Sequence, residues 1–246
     1  MINPISRNVI TYKYIQGFTL LEILLAITIF AVLSTMVYGS LNAVLSRNEV
    51  IRDGIAVFEM AKNTLNRISM DLTGTFVEQY PEYEVPGIND PPDPYRFTAE
   101  EEFVGATDFS RLRFTSTAHL PISSDTVSGL GQIKYYVQRT DDRETDTYIL
   151  RRSDIAFPYD IDQNRHHETD NDPVLCEKIE SFTLTYVDEN GEIHRTWDSD
   201  SESYRFATPR AVIVELVVAE NDRSYEFSTR IDIPVYRKRL EDVRRN

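Results

Sequence analysis

From Phe18 to Tyr38 the chain reads F-T-L-L-E-I-L-L-A-I-T-I-F-A-V-L-S-T-M-V-Y, 21 residues with one charged side chain, Glu22. At about 1.5 Å of rise per residue, a helix of this length matches the ~30 Å hydrocarbon core of a bilayer. No soluble core packs such a helix on all sides in a chain whose mean hydropathy is -0.37. The run is therefore a membrane segment, and it forces a division between an anchor and a soluble body. A carboxylate at the centre of such a helix costs ~3 kcal/mol or more, so an acid there is a functional residue by default. Glu22 either meets a cation in the membrane or snorkels to the cytoplasmic interface.

The flanks set the topology. Arg7 and Lys13 precede the run and no acid does, so the positive-inside bias leaves the N-terminus cytoplasmic and sends the body outward. A secretory signal has a shorter apolar core followed by a small-residue cleavage site, and neither feature is present. The helical pattern continues instead, because no proline lies between Pro4 and Pro81. Ile51, Ile55, Phe58, Ala61, Leu65, Ile68 and Leu72 recur at steps of three and four, which predicts a buried face. Arg52, Asp53, Glu59, Lys62, Asn63, Asn66, Arg67 and Asp71 fill the other positions and are expected in solvent. Gly74 is the expected stop, giving one helix from Phe18 to Thr73 roughly 80 Å long.

Beyond it the period changes from helical to alternating. Five of the eleven prolines fall between Pro81 and Pro94, predicting an irregular loop. Leu112 and Phe114, then Ile133, Tyr135 and Val137, then Tyr148 and Leu150 alternate as strands. Phe182, Leu184 and Tyr186 lead to a hairpin turn at Asn190-Gly191 and on to Ile193. Val212, Val214, Leu216 and Val218 form the clearest strand, and a turn near Asn221-Asp222 returns through Tyr225, Phe227, Thr229, Ile231 and Ile233. Short strands joined by hairpins and a single long helix predict an α+β fold, a largely antiparallel sheet covered by that helix. Residues 77–104 and 158–173 are expected to be long acidic loops.

Composition narrows the partners. Forty acids against 26 bases give a formal charge of -14, the wrong sign for a nucleic-acid surface. The one cysteine, Cys176, permits no intrachain disulfide and does not decide the compartment.

The residues G-F-T-L-L-E, Gly17 to Glu22, with a basic leader before them and about twenty apolar residues after, resemble the processing signal of type IV pilin-like proteins. The resemblance implies that a prepilin peptidase cuts between Gly17 and Phe18, that Phe18 is then N-methylated, and that Glu22 attracts the N-terminal amine of a neighbouring subunit during filament assembly. The body sharpens it. K-I-E-S-F-T-L-T-Y-V-D-E-N-G, then Trp197, then T-P-R-A-V-I-V-E-L resemble the minor pseudopilin J family of type II secretion systems, with Thr208 standing where a leucine is more usual. That family implies an inner-membrane protein with a periplasmic body, placed near the tip of a short periplasmic filament. Its implied partners are the other minor pseudopilins, called I and K, and the major pseudopilin. The expected parts are a cleaved leader (1–17), a membrane segment (18–38), a periplasmic helix (39–74), a β-rich domain (75–236) and a basic tail (237–246), solvated by default, with docking to an acidic partner as the alternative.

Other chemistry is weakly supported. Asp160, Asp162 and Asn164 have the odd-position spacing of a calcium loop, but Arg165 occupies the sharp-turn glycine position and Asn171 the bidentate glutamate position. A solvated loop is the better reading, so no metal or other cofactor is expected. His167-Glu168 begins an H-E-x-x-H motif whose second histidine is Asn171. His119 and His194 define no triad by sequence, and no nucleophile-elbow or phosphate-loop motif occurs, so an enzyme is not expected. Tyr135, Tyr136, Tyr186 and Trp197 are read as core residues. Three further readings stay open: a minor pilin of a type IV pilus, a pilin-anchored binding module, and a tethered periplasmic hydrolase.

Overall fold

A computed structural model describes residues 17–87, 90–120, 129–140, 147–156, 169–221 and 223–238, the side chains of 43–53 excepted. Helix α1 (Leu20–Thr73) leads into ten strands: β1 (Thr75–Phe76), β2 (Thr98–Val104), β3 (Thr107–Ser116), β4 (Gly131–Arg139), β5 (Tyr148–Ala156), β6 (Val174–Val187), β7 (Ile193–His194), β8 (Trp197–Asp198), β9 (Ala211–Glu220) and β10 (Arg223–Asp232). The chain divides into two compact units at Arg52 and Asp53. The first is the apolar half of α1, and the second holds the rest of α1 and the whole sheet.

Every pairing in the sheet is antiparallel, in the order β10-β9-β6-β5-β4-β3-β2-β8, with β1 on β3 and β7 on β6. The α+β expectation holds. The strongest alternation gives the most regular pairing: Val212, Val214, Leu216 and Val218 of β9 are all buried and set its register with both β6 and β10. At the far end of β6 the backbone reaches across to β3, where the Leu184 N–H donates to Ser110 Oγ at 2.8 Å. That contact gives a buried donor the partner it requires.

The last five turns of α1 bury Val57, Ala61, Thr64, Ile68, Asp71 and Leu72, a stripe at steps of three and four. It is rotated from the expected one. Ile55 and Phe58 are more than half exposed, and Ile51 lies among residues whose side chains are outside the described set. Two polar residues hold the positions that an apolar reading assigned to their neighbours. Thr64 Oγ1 donates to Met60 O at 2.9 Å and to Leu175 O of β6 at 2.7 Å, so its hydroxyl is satisfied in the core. Asp71, expected in solvent, is fully buried.

Gly74 ends the helix as expected, and the reason is space. A Cβ there would sit 2.7 Å from Ser116 Oγ and 2.9 Å from Thr117 Oγ1, where the end of β3 crosses the helix terminus. Residues 77–104 are not simply a loop: the acidic T-A-E-E-E-F-V of β2 pairs with β3 over its whole length, and Val77, Tyr83, Phe97 and Ala99 are buried. Three consecutive glutamates hid that strand, since β-propensity reflects fit to a half-buried surface rather than composition. Most of residues 158–173 fall outside the described set, but Asp172 anchors their end, accepting from Tyr136 Oη at 2.8 Å.

Candidate processing and assembly segment

The helix start is written in T-L-L-E, Thr19 to Glu22. Thr19 caps α1: the Glu22 N–H donates to Thr19 O at 3.1 Å and to Thr19 Oγ1 at 3.3 Å, and the Ile23 N–H donates to Thr19 O at 3.3 Å. Thr at the cap with Glu three residues on is the capping-box spacing, and an acid in the first turn complements the helix dipole. That spacing is legible in the sequence alone. Among the described residues, no atom beyond the chain neighbours of Gly17 lies within 4 Å of where its Cβ would be. Phe18 is 80% exposed.

Every residue from Gly17 to Asn42 is exposed, the large apolar ones included. Leu20–Asn42 is long and apolar enough to cross a membrane. Glu22 is the one charge in that span, standing one turn from its start. No cation stands within that span to pair with it.

The second unit carries two buried ionic clusters that sequence reasoning missed. Asp71 receives a bidentate guanidinium from Arg152, Nε to Oδ2 at 2.6 Å and Nη2 to Oδ1 at 3.1 Å. Arg67 Nη2 donates to Asp71 Oδ1 at 2.5 Å, and Tyr135 Oη donates to Oδ2. Burial works against the Arg152 cation, but its bonds to Asp71 and Asp154 outweigh that and hold its pKa above the ordinary value. Asp154 accepts from Arg152 Nη1 at 2.7 Å and from the Leu120 N–H at 3.0 Å, and it pairs with His119 Nδ1. The cluster ties α1 to β4, β5 and the end of β3.

Arg237 forms the other. The solvated-tail expectation fails at this residue, which is fully buried. Its guanidinium lies 3.4 Å from the Tyr83 ring centroid and donates to Asp93 Oδ2 at 2.8 Å, Ser199 O at 2.6 Å and Phe206 O at 2.8 Å. Its backbone N–H donates to Thr208 Oγ1 at 2.9 Å. Thr208 thus has work for its hydroxyl that leucine could not do. The basic tail begins by docking on acids of its own chain.

Tyr135, Tyr136, Tyr186 and Trp197 are all buried, as expected of core residues. His119 meets Asp154 and His194 faces Asp188, each with its own carboxylate. Cys176 is buried, which pushes its thiol pKa up to about 12 and leaves it inert at neutral pH. Asp160, Asp162 and Asn164 lie outside the described residues, as do His167 and Glu168.

An exposed apolar helix that runs on into an antiparallel sheet domain defines a pilin-like protein. Residues 12–38 match the prokaryotic N-terminal methylation motif, and residues 39–227 match type II secretion system protein J. The second match covers most of the chain, which therefore belongs to the type II secretion system protein J family. It is a minor pseudopilin, an assembly protein rather than an enzyme, and its partners are components of that secretion system. The match decides against the type IV pilus alternative and the hydrolase. No individual curated protein matches the chain.

Proposed function

We propose that a prepilin peptidase cleaves the precursor between Gly17 and Phe18, and that Phe18 is then N-methylated. The helix crosses the inner membrane once, with a cytoplasmic N-terminus and a periplasmic body. After processing, the Glu22 carboxylate attracts the Phe18 amine of an adjacent subunit. The protein assembles near the tip of the periplasmic pseudopilus with the I-type and K-type minor pseudopilins, above the major pseudopilin.

The observation that carries this reading is a lone acid in an exposed apolar span, Leu20–Asn42. Burying an unpaired carboxylate in hydrocarbon is costly, and cleavage creates a cation at the right depth. The open backbone at Gly17 fits a scissile site in the same stretch. Mass spectrometry of detergent-extracted protein checks it. An N-terminal methyl-Phe18 is expected, and Gly17→Ala or a bulkier residue should block cleavage. An intact Met1 terminus in cells with active peptidase overturns the reading.

A further inference from the structure

We propose that the β6–β7 hairpin holds a divalent transition-metal ion of the zinc class between Asp188, Glu192 and His194. One ligand atom from each of the three lies within 4.8 Å of the others. The sequence D-E-N-G-E-I-H brings them together by a tight turn. Gly191 has φ +84°, which an L side chain rarely adopts, and the pairs Val187 with Ile193 and Tyr186 with His194 fold the second arm back on the first.

The donors are positioned without a ligand. Asp188 Oδ1 accepts from the N–H groups of Asn190 at 2.7 Å and Glu192 at 2.9 Å, which fixes the carboxylate. Asp188 Oδ2 then faces His194 Nε2 at 3.9 Å. That gap is too long for a hydrogen bond, and side-chain rotation that closes it by roughly 0.5 Å brings the two atoms to the spacing of tetrahedral zinc ligands at ~2.0–2.2 Å from the ion. The imidazole is held edge-on against Trp197 at 5.5 Å and Tyr204 at 5.7 Å. A further observation points to a ligand: His194 Nε2 is itself covered and has no hydrogen-bond partner, while the side chain as a whole is 31% exposed. It borders a cleft of about 170 Å³ that Asp188, Glu192, Trp197 and Tyr204 also line.

Donor chemistry selects the ion. Calcium and magnesium take oxygen ligands, whereas one imidazole with two carboxylates suits zinc and its neighbours. Two carboxylates also offset the charge of a divalent cation. Three protein ligands leave a coordination position for water or for a donor from another subunit.

The test uses untagged full-length protein in detergent, stripped with EDTA and titrated with ZnCl2 by calorimetry. One ion per chain is expected. Glu192→Gln, at an exposed residue, and His194→Gln should each weaken binding at least ~10-fold, the lower end of what lost metal-site contacts cost. Far-UV circular dichroism checks that both variants fold. His166→Gln with His167→Gln, the two histidines outside the described residues, should leave the affinity unchanged. Histidine-selective 15N NMR should show Nε2 of His194 shifting on saturation, and millimolar CaCl2 should not compete. Absent binding, wild-type affinity in both site variants, loss of binding in the His166/His167 variant, or displacement by calcium each overturns the proposal.

Discussion

Glu22 and Asp71 are two carboxylates on one helix, and their surroundings are opposite. Glu22 stands exposed in a span with no other charge. Asp71 is sealed in the second unit, with Arg67, Arg152 and Tyr135 all bonded to its two oxygens. A buried carboxylate persists only when its own chain supplies the cations and donors. No cation stands beside Glu22 within its own span. The second acid therefore belongs to folding, and under the proposed function the first belongs to assembly, although both sit in the same element.

Substitution separates the two most sharply. Glu22→Ala makes the span more apolar, so insertion into the inner membrane should be unchanged by fractionation. Co-purification with the other minor pseudopilins, and secretion with it, should fall to near background, because one partner of a poorly solvated pair is gone. Wild-type secretion in that strain would show that Glu22 lies at the interface and pairs with nothing. Asp71→Ala should do the reverse. It leaves Arg152, 4% exposed at its side chain, without its main counter-ion, and removal of one partner from a buried pair costs ~3–5 kcal/mol. Urea denaturation of the body from about Arg47 onward should show that loss, while membrane targeting stays intact. A midpoint within error of wild type would break the comparison from its other side.

The same contrast explains what the sequence disclosed. Glu22 was conspicuous because everything around it is apolar, and no folding detail is needed to see that. Asp71 was camouflaged: in an amphipathic pattern a polar residue is assigned to solvent unless its partners are known, and Arg152 and Tyr135 lie 81 and 64 residues away. Thr64, which the pattern assigned to neither face, has its hydroxyl satisfied by a strand carbonyl 111 residues on. Strands with clean alternation, β9 above all, were legible, as was the stop at Gly74. β2 was not, because its register is set by pairing with β3 and its glutamates face outward at intermediate or full exposure. Periodicity reports local pattern. It cannot report long-range partners.

Arg237 extends the comparison to a cation that composition assigned to a free tail. Arg237→Ala leaves Asp93 and Asp200, each 4% exposed at the side chain, without the guanidinium between them. A loss of about 3 kcal/mol is expected, toward the lower end for a buried pair, because a strand-free segment near the terminus can swing away and admit water. Limited proteolysis should cut the variant sooner after Ile233, while Lys238→Ala, next in the chain, should be silent. Equal protection in the two variants would mean that the segment is held by its backbone bonds with Thr208 and by Tyr236 on Arg210 and Glu189, without need of the guanidinium.

The smallest effect is a pH dependence in which two buried acids oppose each other. Burial alone would raise the Asp154 carboxyl, but the Leu120 N–H, His119 and Arg152 outweigh it and hold the pKa below the usual value. For Asp200 burial raises the pKa and prevails, helped by the charge of Asp93, over the Asp93 N–H, Tyr83 and Arg237. The signs follow from proton counting. A depressed acid contributes stability that is complete above its unfolded value, about 3.9, and is lost as pH falls through the folded pKa. A raised acid does the opposite: the folded form takes up its proton first, so stability rises as pH falls from the folded pKa toward ~3.9. Urea midpoints of the body from pH 7 to pH 3 should therefore hold level or rise toward pH ~4 and drop below it. Asp154→Asn should flatten the drop and leave the higher range unchanged. Asp200→Asn should remove the upper support and leave the drop. Identical profiles in both variants would place the acid sensitivity elsewhere.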